Sequence, residues 1–188
     1  VAATGNSYGI RLESSSSNTI TSNSATGNTN GIYLASSSNS NTITGNTATG
    51  NNYGIWLGSS SGNTLSGNTA TGNNNYGISL RTSSGNTIEA NIATNNTNYG
   101  IDLTSSSNNN TITGNTATGS AYGICLSFSS NNNIVTGNKV ISNNEGIRLT
   151  SIIPTVEGGV SSDLDTLKGR DGLGHLIDGN LVSALSKD

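Results

Sequence analysis

Charge is scarce in this sequence. Charged residues make up 9% of the chain and hydrophobic ones 30%, against about 25% and 45–50% in an average globular domain. One cysteine excludes an internal disulfide and any multi-cysteine metal site. Methionine is absent and His175 stands alone, which excludes a His/Met cluster for copper or zinc. No metal or cofactor site is therefore expected. No apolar run approaches the ~18 residues of a membrane-spanning helix. The net charge is −3 with no basic stripe, which argues against nucleic acid as a partner. What fills the chain instead is Asn (31), Ser (31), Thr (25) and Gly (25), together 112 of 188 residues. The length suits one domain.

The composition is explained by a repeat. Gly-Ile-x-Leu occurs seven times, starting at Gly9, Gly31, Gly54, Gly77, Gly100, Gly123 and Gly146, at spacings of 22 and then 23 residues. Each copy is followed by a second short segment, such as Thr42-Ile43-Thr44, and a third, such as Thr47-Ala48-Thr49. All three alternate with period two, so Ile and Leu share one face and x takes the other. A three-residue strand has no partner within its own repeat. It can pair in parallel with its equivalent one repeat later, which makes a solenoid. The expected fold is all-β: a parallel β-helix of three sheets, with about 23 residues per coil and 7–8 coils.

Polar residues mark the corners. Asn23, Asn46, Asn68, Asn91, Asn115 and Asn138 recur between the second and third strands. Stacked one rung apart, ~4.8 Å, their amides can form a ladder. Gly45, Gly67, Gly114 and Gly137 precede four of them and suit a left-handed turn. Serine runs at residues 14–17, 36–38, 59–61 and 105–107 form the loop between first and second strands.

The pattern Asn-Thr-Ile-Thr-Gly-Asn-Thr-Ala-Thr-Gly-Asn from Asn41, with its Gly-Ile-x-Leu strand, resembles the right-handed parallel β-helix repeats of NosD-like proteins. These sit in the pectate-lyase-like superfamily. The resemblance covers about residues 1–150 and implies a right-handed coil. The superfamily holds polysaccharide lyases and hydrolases, sugar-binding modules, copper-maturation factors and surface repeats, and fold alone chooses none of them.

Residues 1–150 thus read as regular coils and 151–188 as a degenerate final coil or a C-terminal cap or assembly segment. The tail holds nine of the 17 charged residues and one Asn. Leu176-Ile177-Asp178-Gly179-Asn180-Leu181-Val182-Ser183 lines up with Thr42-Ile43-Thr44-Gly45-Asn46-Thr47-Ala48-Thr49, and residues 155–159 fit the same template. A helical cap built on Leu173, Leu176, Ile177, Leu181 and Leu185 is the rival. At the other end, Ala2-Ala3-Thr4 is already in third-strand phase. Open coils at both ends would favour head-to-tail self-association into a filament.

Candidate chemistry is thin. The outward x positions are Arg11, Tyr33, Trp56, Ser79, Asp102, Cys125 and Arg148, with one acid among them. A glycosidase needs two carboxyls ~5–9.5 Å apart, and a Ca²⁺-dependent lyase several acids and a base. Asp163 and Asp165 could form a small cation site, but an ordinary solvated loop is the favoured reading. No catalytic residue is therefore assigned, and no turnover of uronic-acid polymers is expected. Tyr8, Tyr53, Tyr76, Tyr99 and Tyr122 precede the Gly of their repeats; strand parity carried backwards points them inward as a corner ladder. Tyr33 and Trp56 form an outward aromatic pair that can receive a sugar face. Thr42, Thr44, Thr47, Thr49, Thr69 and Thr71 belong to Thr-x-Thr rows that resemble the ice-binding ladders of β-solenoid antifreeze proteins. Cys125 reads as a lone outward thiol.

The function expected from these residues is a non-catalytic, extracellular or cell-surface structural module, self-assembling through its coil ends into a filament or surface layer. The alternatives are a carbohydrate-binding module acting through Tyr33 and Trp56, with a polysaccharide as partner, or an ice-binding surface.

Overall fold

The computed structural model describes residues 1–150, 169–170 and 176–184. The Gly-Ile-x-Leu motif forms the first strand of every coil, five or six residues long: Tyr8–Glu13, Asn30–Ala35, Tyr53–Gly58, Tyr76–Arg81, Tyr99–Thr104, Tyr122–Leu126 and Glu145–Leu149. These stack in parallel as the seven-stranded first sheet. The register sets Ile on Ile and Leu on Leu from coil to coil. The shorter strands stack likewise into a second and a third sheet of eight described strands each, in parallel except for Gly169–Arg170, which closes the second sheet antiparallel to Leu176–Asp178. The result is the all-β, three-sheet parallel solenoid that the repeat implies.

The core follows from the alternation. Ile32, Leu34, Ile43, Ile55, Leu57, Leu65, Ile78, Leu80, Ile88, Ile101, Leu103 and Ile112 are fully buried, and Ala25, Ala48, Ala70, Ala93 and Ala117 close the third side. Each large side chain contributes ~1.5–3 kcal/mol by leaving water. Ile10, Leu12 and Leu149 are only partly buried, although they pack on the same cluster. Their strands lie at the two ends of the first sheet, so a neighbouring coil covers them from one side. Leu176–Asp178 pairs with Ile134–Thr136, and Leu181–Ala184 with Lys139–Asn143. Ile177 and Val182 join the core. Residues 155–159, Asp163, Asp165, Leu173, His175 and Leu185 lie outside the described residues.

Three asparagine ladders stabilise the corners, where one was expected. In the ladder that contains Asn46, the Asn46 Nδ2 and backbone N–H both donate to Asn68 Oδ1, at 3.0 and 2.9 Å. Asn18, Asn41, Asn63, Asn86 and Asn110 repeat this before the second strand. Asn28, Asn51, Asn73 and Asn96 repeat it after the third. Serine hydroxyls at Ser83, Ser107 and Ser130 accept backbone N–H bonds in the remaining loop. Buried polar groups need partners, and along these ladders the asparagine amides find them in the neighbouring coils. The Asn and Ser content is the cost of turning the chain three times per coil.

Strict alternation fails at the glycine of the first-strand motif. A Cβ on Gly77 would lie 2.6 Å from both Asn96 Nδ2 and the Gly100 carbonyl, and 3.2 Å from Ala93 Cβ. The glycine therefore faces inward, as does the Ile after it. Two successive inward residues slip the phase, and the preceding tyrosine turns out of the core.

Candidate functional site

This slip gives the first sheet its outer face. Tyr53, Tyr76, Tyr99 and Tyr122 stack as expected, with ring centroids 5.3, 4.9 and 4.9 Å apart. They are half-buried rather than enclosed in the core, and this corrects the inward placement. They share the face with the x row. Tyr8 meets the x residue Tyr33 edge-on at 4.8 Å, and the Arg148 guanidinium lies 4.9 Å from the Tyr122 ring centroid.

Tyr33 and Trp56 are adjacent in register. Their rings stack with centroids 4.7 Å apart and planes within 8°. Together with Ala35, Ser36, Gly58, Ser59, Arg81 and Thr82 they line an open cleft of about 290 Å³. The threonines are elsewhere. Thr42 and Thr44 lie on the second sheet, while Thr47, Thr49, Thr69 and Thr71 lie on the third. Thr47 pairs with Thr69 and Thr49 with Thr71, but the next partner of Thr69 is Ile92. The structure thus assembles the aromatic pair into a cleft and leaves the threonine rows on separate faces.

The x row continues through Ser79, Asp102 and Cys125. Outward side chains are ordinarily wet, yet these are 3%, 4% and 3% exposed. Cys125 is thus a buried thiol on the outer face, not an exposed one. Burial pushes it up to about 12, with Asp102 adding to the effect and Arg148 and a hydrogen bond to Ser127 opposing it. Burial also pushes the Asp102 carboxyl up to about 7, against a hydrogen bond with Ser79 that favours the charged form. Tyr76 is raised to about 12 by burial and by the nearby Asp102 charge. Tyr99 is raised by burial, Cys125 and Asp102. Asp102, Tyr76 and Tyr99 therefore form one electrostatic group. A carboxyl that titrates near neutrality can accept or donate a proton in the working range, and such shifts concentrate at functional sites. Counting charges missed this group, because it holds one carboxyl kept out of water rather than a pair. The visible signal was the one acid of the x row, set between the neutral Ser79 and Cys125.

Three arginines border the face. Arg11 is paired with Glu13 and lies over Tyr8. Arg148 lies 3.7 Å from Glu145 and over Tyr122. Arg81 is exposed, and among the described residues it has no carboxylate partner. No group of three or more His, Cys, Asp or Glu side chains able to hold a metal ion occurs among those residues, and no helix there is long and apolar enough to cross a membrane.

Comparison with known proteins agrees with this architecture. A sequence model of the family described as "Right handed beta helix region" matches residues 2–140. No curated protein matches the sequence at a significant level. Among solved structures, the periplasmic alginate epimerase AlgG superposes with a TM-score of 0.73 at 21% identity, over 96% of this chain and 42% of that one. The A-module of the Azotobacter vinelandii mannuronan C-5 epimerase AlgE6 gives 0.75 at 19%, over 97% and 52%. An alginate lyase from Paenibacillus gives 0.58 at 16%, over 82% and 73%. The chain spans about half the length of the two epimerase structures or less. At these identities the likeness is one of fold. It nonetheless overturns the expectation of a non-catalytic structural or filament module, because these solved proteins of the same fold are polysaccharide-modifying enzymes. The expectation rested on a charge count, and such a count does not register that the Asp102 carboxyl is buried.

Proposed function

Because the chain belongs to the right-handed β-helix family, we propose that the outer face of its first sheet binds a polysaccharide and modifies it by proton transfer at Asp102. One observation carries this reading: a single face gathers, in register, the stacked Tyr33–Trp56 pair, the tyrosine ladder and the buried carboxyl of Asp102. An extended polymer laid across successive strands would meet the aromatic pair and Asp102 two coils apart. Asp102, poised at about 7, supplies the base. Tyr76, raised to about 12, stays protonated and supplies a donor. Epimerisation or elimination on a sugar ring needs both roles, and transfer can run directly or through one water. Polymers of this kind are met outside the cytoplasm, so an extracellular or cell-surface location is part of the proposal. Within the family we place the chain beside the NosD-like repeats, on the pattern that begins at Asn41.

The test is turnover of alginate and other polysaccharides, followed by a new unsaturated chromophore for elimination and by exchange of ring hydrogens with heavy water for epimerisation. The expected result is activity in the wild-type chain that is lost in Asp102→Asn while the fold persists. A wild-type chain inert on every polymer, or an Asp102→Asn variant as active as wild type, would end the catalytic reading.

A further inference from the structure

The Trp56 ring has one occupied side and one free side. Tyr33 covers the first at stacking distance. The other side faces the next coil, where the register places Ser79, a side chain too small to cover an indole. The ring also needs room across its own strand. It lies over Gly58, where any Cβ would collide with the six-membered ring. Glycine at this position is what lets the indole lie flat on Tyr33.

The cation of the cleft stands opposite that glycine. Arg81 pairs in register with Gly58, one strand away from the seat of the indole. Its two counterparts on this face are each engaged by a glutamate and a tyrosine ring, whereas Arg81 is engaged by neither among the described residues. Asp102 and Glu89 are the nearest acids in sequence beyond it. Asp102 is buried one coil on, and Glu89 belongs to the second sheet. The cleft thus combines a flat apolar wall with an uncompensated guanidinium at its edge. The apolar C–H face of a pyranose fits the wall, and a carboxylate fits the planar fork of an arginine.

We propose that Trp56, Gly58 and Arg81 form a subsite for a carboxylate-bearing sugar ring: the ring stacks on the free face of Trp56, Gly58 keeps that face flat, and Arg81 takes the carboxylate. This rests on the reading of the first sheet as a polysaccharide face, and it assigns the polymer to the acidic class. Neutral sugars can use the wall but leave Arg81 without its partner.

Trp56 is the single tryptophan of the chain, so its fluorescence reports this site alone. The experiment titrates the full chain with short oligouronates and with neutral oligosaccharides of equal length, following Trp56 emission at two salt concentrations. Oligouronates are expected to change the emission with an affinity that falls as salt rises. Arg81→Gln should weaken oligouronate binding by about tenfold or more, as loss of a charge-assisted hydrogen bond does, while weak binding of neutral sugars is unchanged. Gly58→Ala should shift the emission of the free protein and weaken both ligand classes. Equal affinity for acidic and neutral oligosaccharides, or oligouronate binding untouched by Arg81→Gln, overturns the subsite. Its fate is separable from that of catalysis. Arg81-dependent binding without turnover keeps the subsite and rejects proton transfer at Asp102. Turnover with Trp56 emission and Arg81→Gln both indifferent to the polymer keeps the enzyme and rejects the subsite. No binding of any oligosaccharide rejects both.

Discussion

Asp102 sits among neutral neighbours in a row that faces outward, and the environment of this one residue ties folding to pH. Unfolded, its carboxyl titrates near the ordinary 3.8; folded, near about 7. Between these values the folded chain holds a proton that the unfolded chain has released. Its contribution to stability is therefore complete below about 4, falls as pH rises, and levels off once the folded carboxyl ionises at about 7. The full step is on the order of 4 kcal/mol. Asp102→Asn should remove this slope, because the amide keeps a hydrogen bond to Ser79 without a charge to bury. Denaturant titrations of both proteins across that range make the comparison; parallel pH profiles would show that Asp102 ionises as freely folded as unfolded. None of this could be read from the sequence. Parity placed Asp102 outward correctly, but its burial depends on Tyr76, Tyr99 and the neighbouring coils. The tyrosines were misplaced because the glycine after them reverses the phase, and a residue without a side chain leaves no polarity signal to reveal it.

At the level of the element, the ladder is the unit that matters. Asn68 shows how much one member carries. Its amide donates to the Ile43 carbonyl at 2.8 Å and to Asn91 Oδ1 at 2.9 Å, while its own oxygen accepts two bonds from Asn46. Asn68→Ala leaves the buried Asn46 backbone N–H without its acceptor and takes a donor from both the Ile43 carbonyl and Asn91 Oδ1, and each buried group left unsatisfied costs about 1–3 kcal/mol. The expected loss is thus roughly 3 kcal/mol or more, read by chemical denaturation. The converse case is already present. The ladder through Asn73 and Asn96 meets Ser120 in the next coil, whose hydroxyl is buried without a partner. Its backbone N–H still donates to Asn143 Oδ1 at 2.9 Å. Ser120→Asn should complete the row and raise stability by about 1 kcal/mol; a lower midpoint would mean that the corner cannot hold the larger side chain. The strands were legible because the Ile and Leu of the first strand recur in phase seven times and the Ala of the third strand six times. The two further ladders were legible in principle, since Asn41, Asn63 and Asn86 recur as regularly as Asn46 and Asn68. They were passed over because asparagine in a turn is satisfied by so many local arrangements that its spacing alone does not announce a stack.

In the whole molecule, each coil touches mainly the coil before and the coil after, so stability is close to a sum of coils and their interfaces. Function need not be divided in the same way. The aromatic cleft draws on the coils of Tyr33, Trp56 and Arg81, and the titrating carboxyl on the next one. This permits an excision that separates them. Tyr99 and Tyr122 are register partners, so deleting residues 100–122 joins Tyr99 to Gly123 one full coil later. The deletion brings Asn96 against Asn143 in place of Ser120, lets Ile78 and Leu80 stack on Ile124 and Leu126, and removes Asp102. The shortened chain should fold to the same β-rich circular dichroism, unfold cooperatively and still bind oligouronate through Trp56, yet lack turnover. Deleting residues 100–110 instead breaks the phase of every later coil and should leave no cooperative transition, since a slip of register turns core residues toward water. If the full-coil deletion fails as completely as the part-coil one, coils are not interchangeable and the additive description is wrong. If it folds but loses sugar binding as well, the cleft and Asp102 form a single site rather than neighbours along one face.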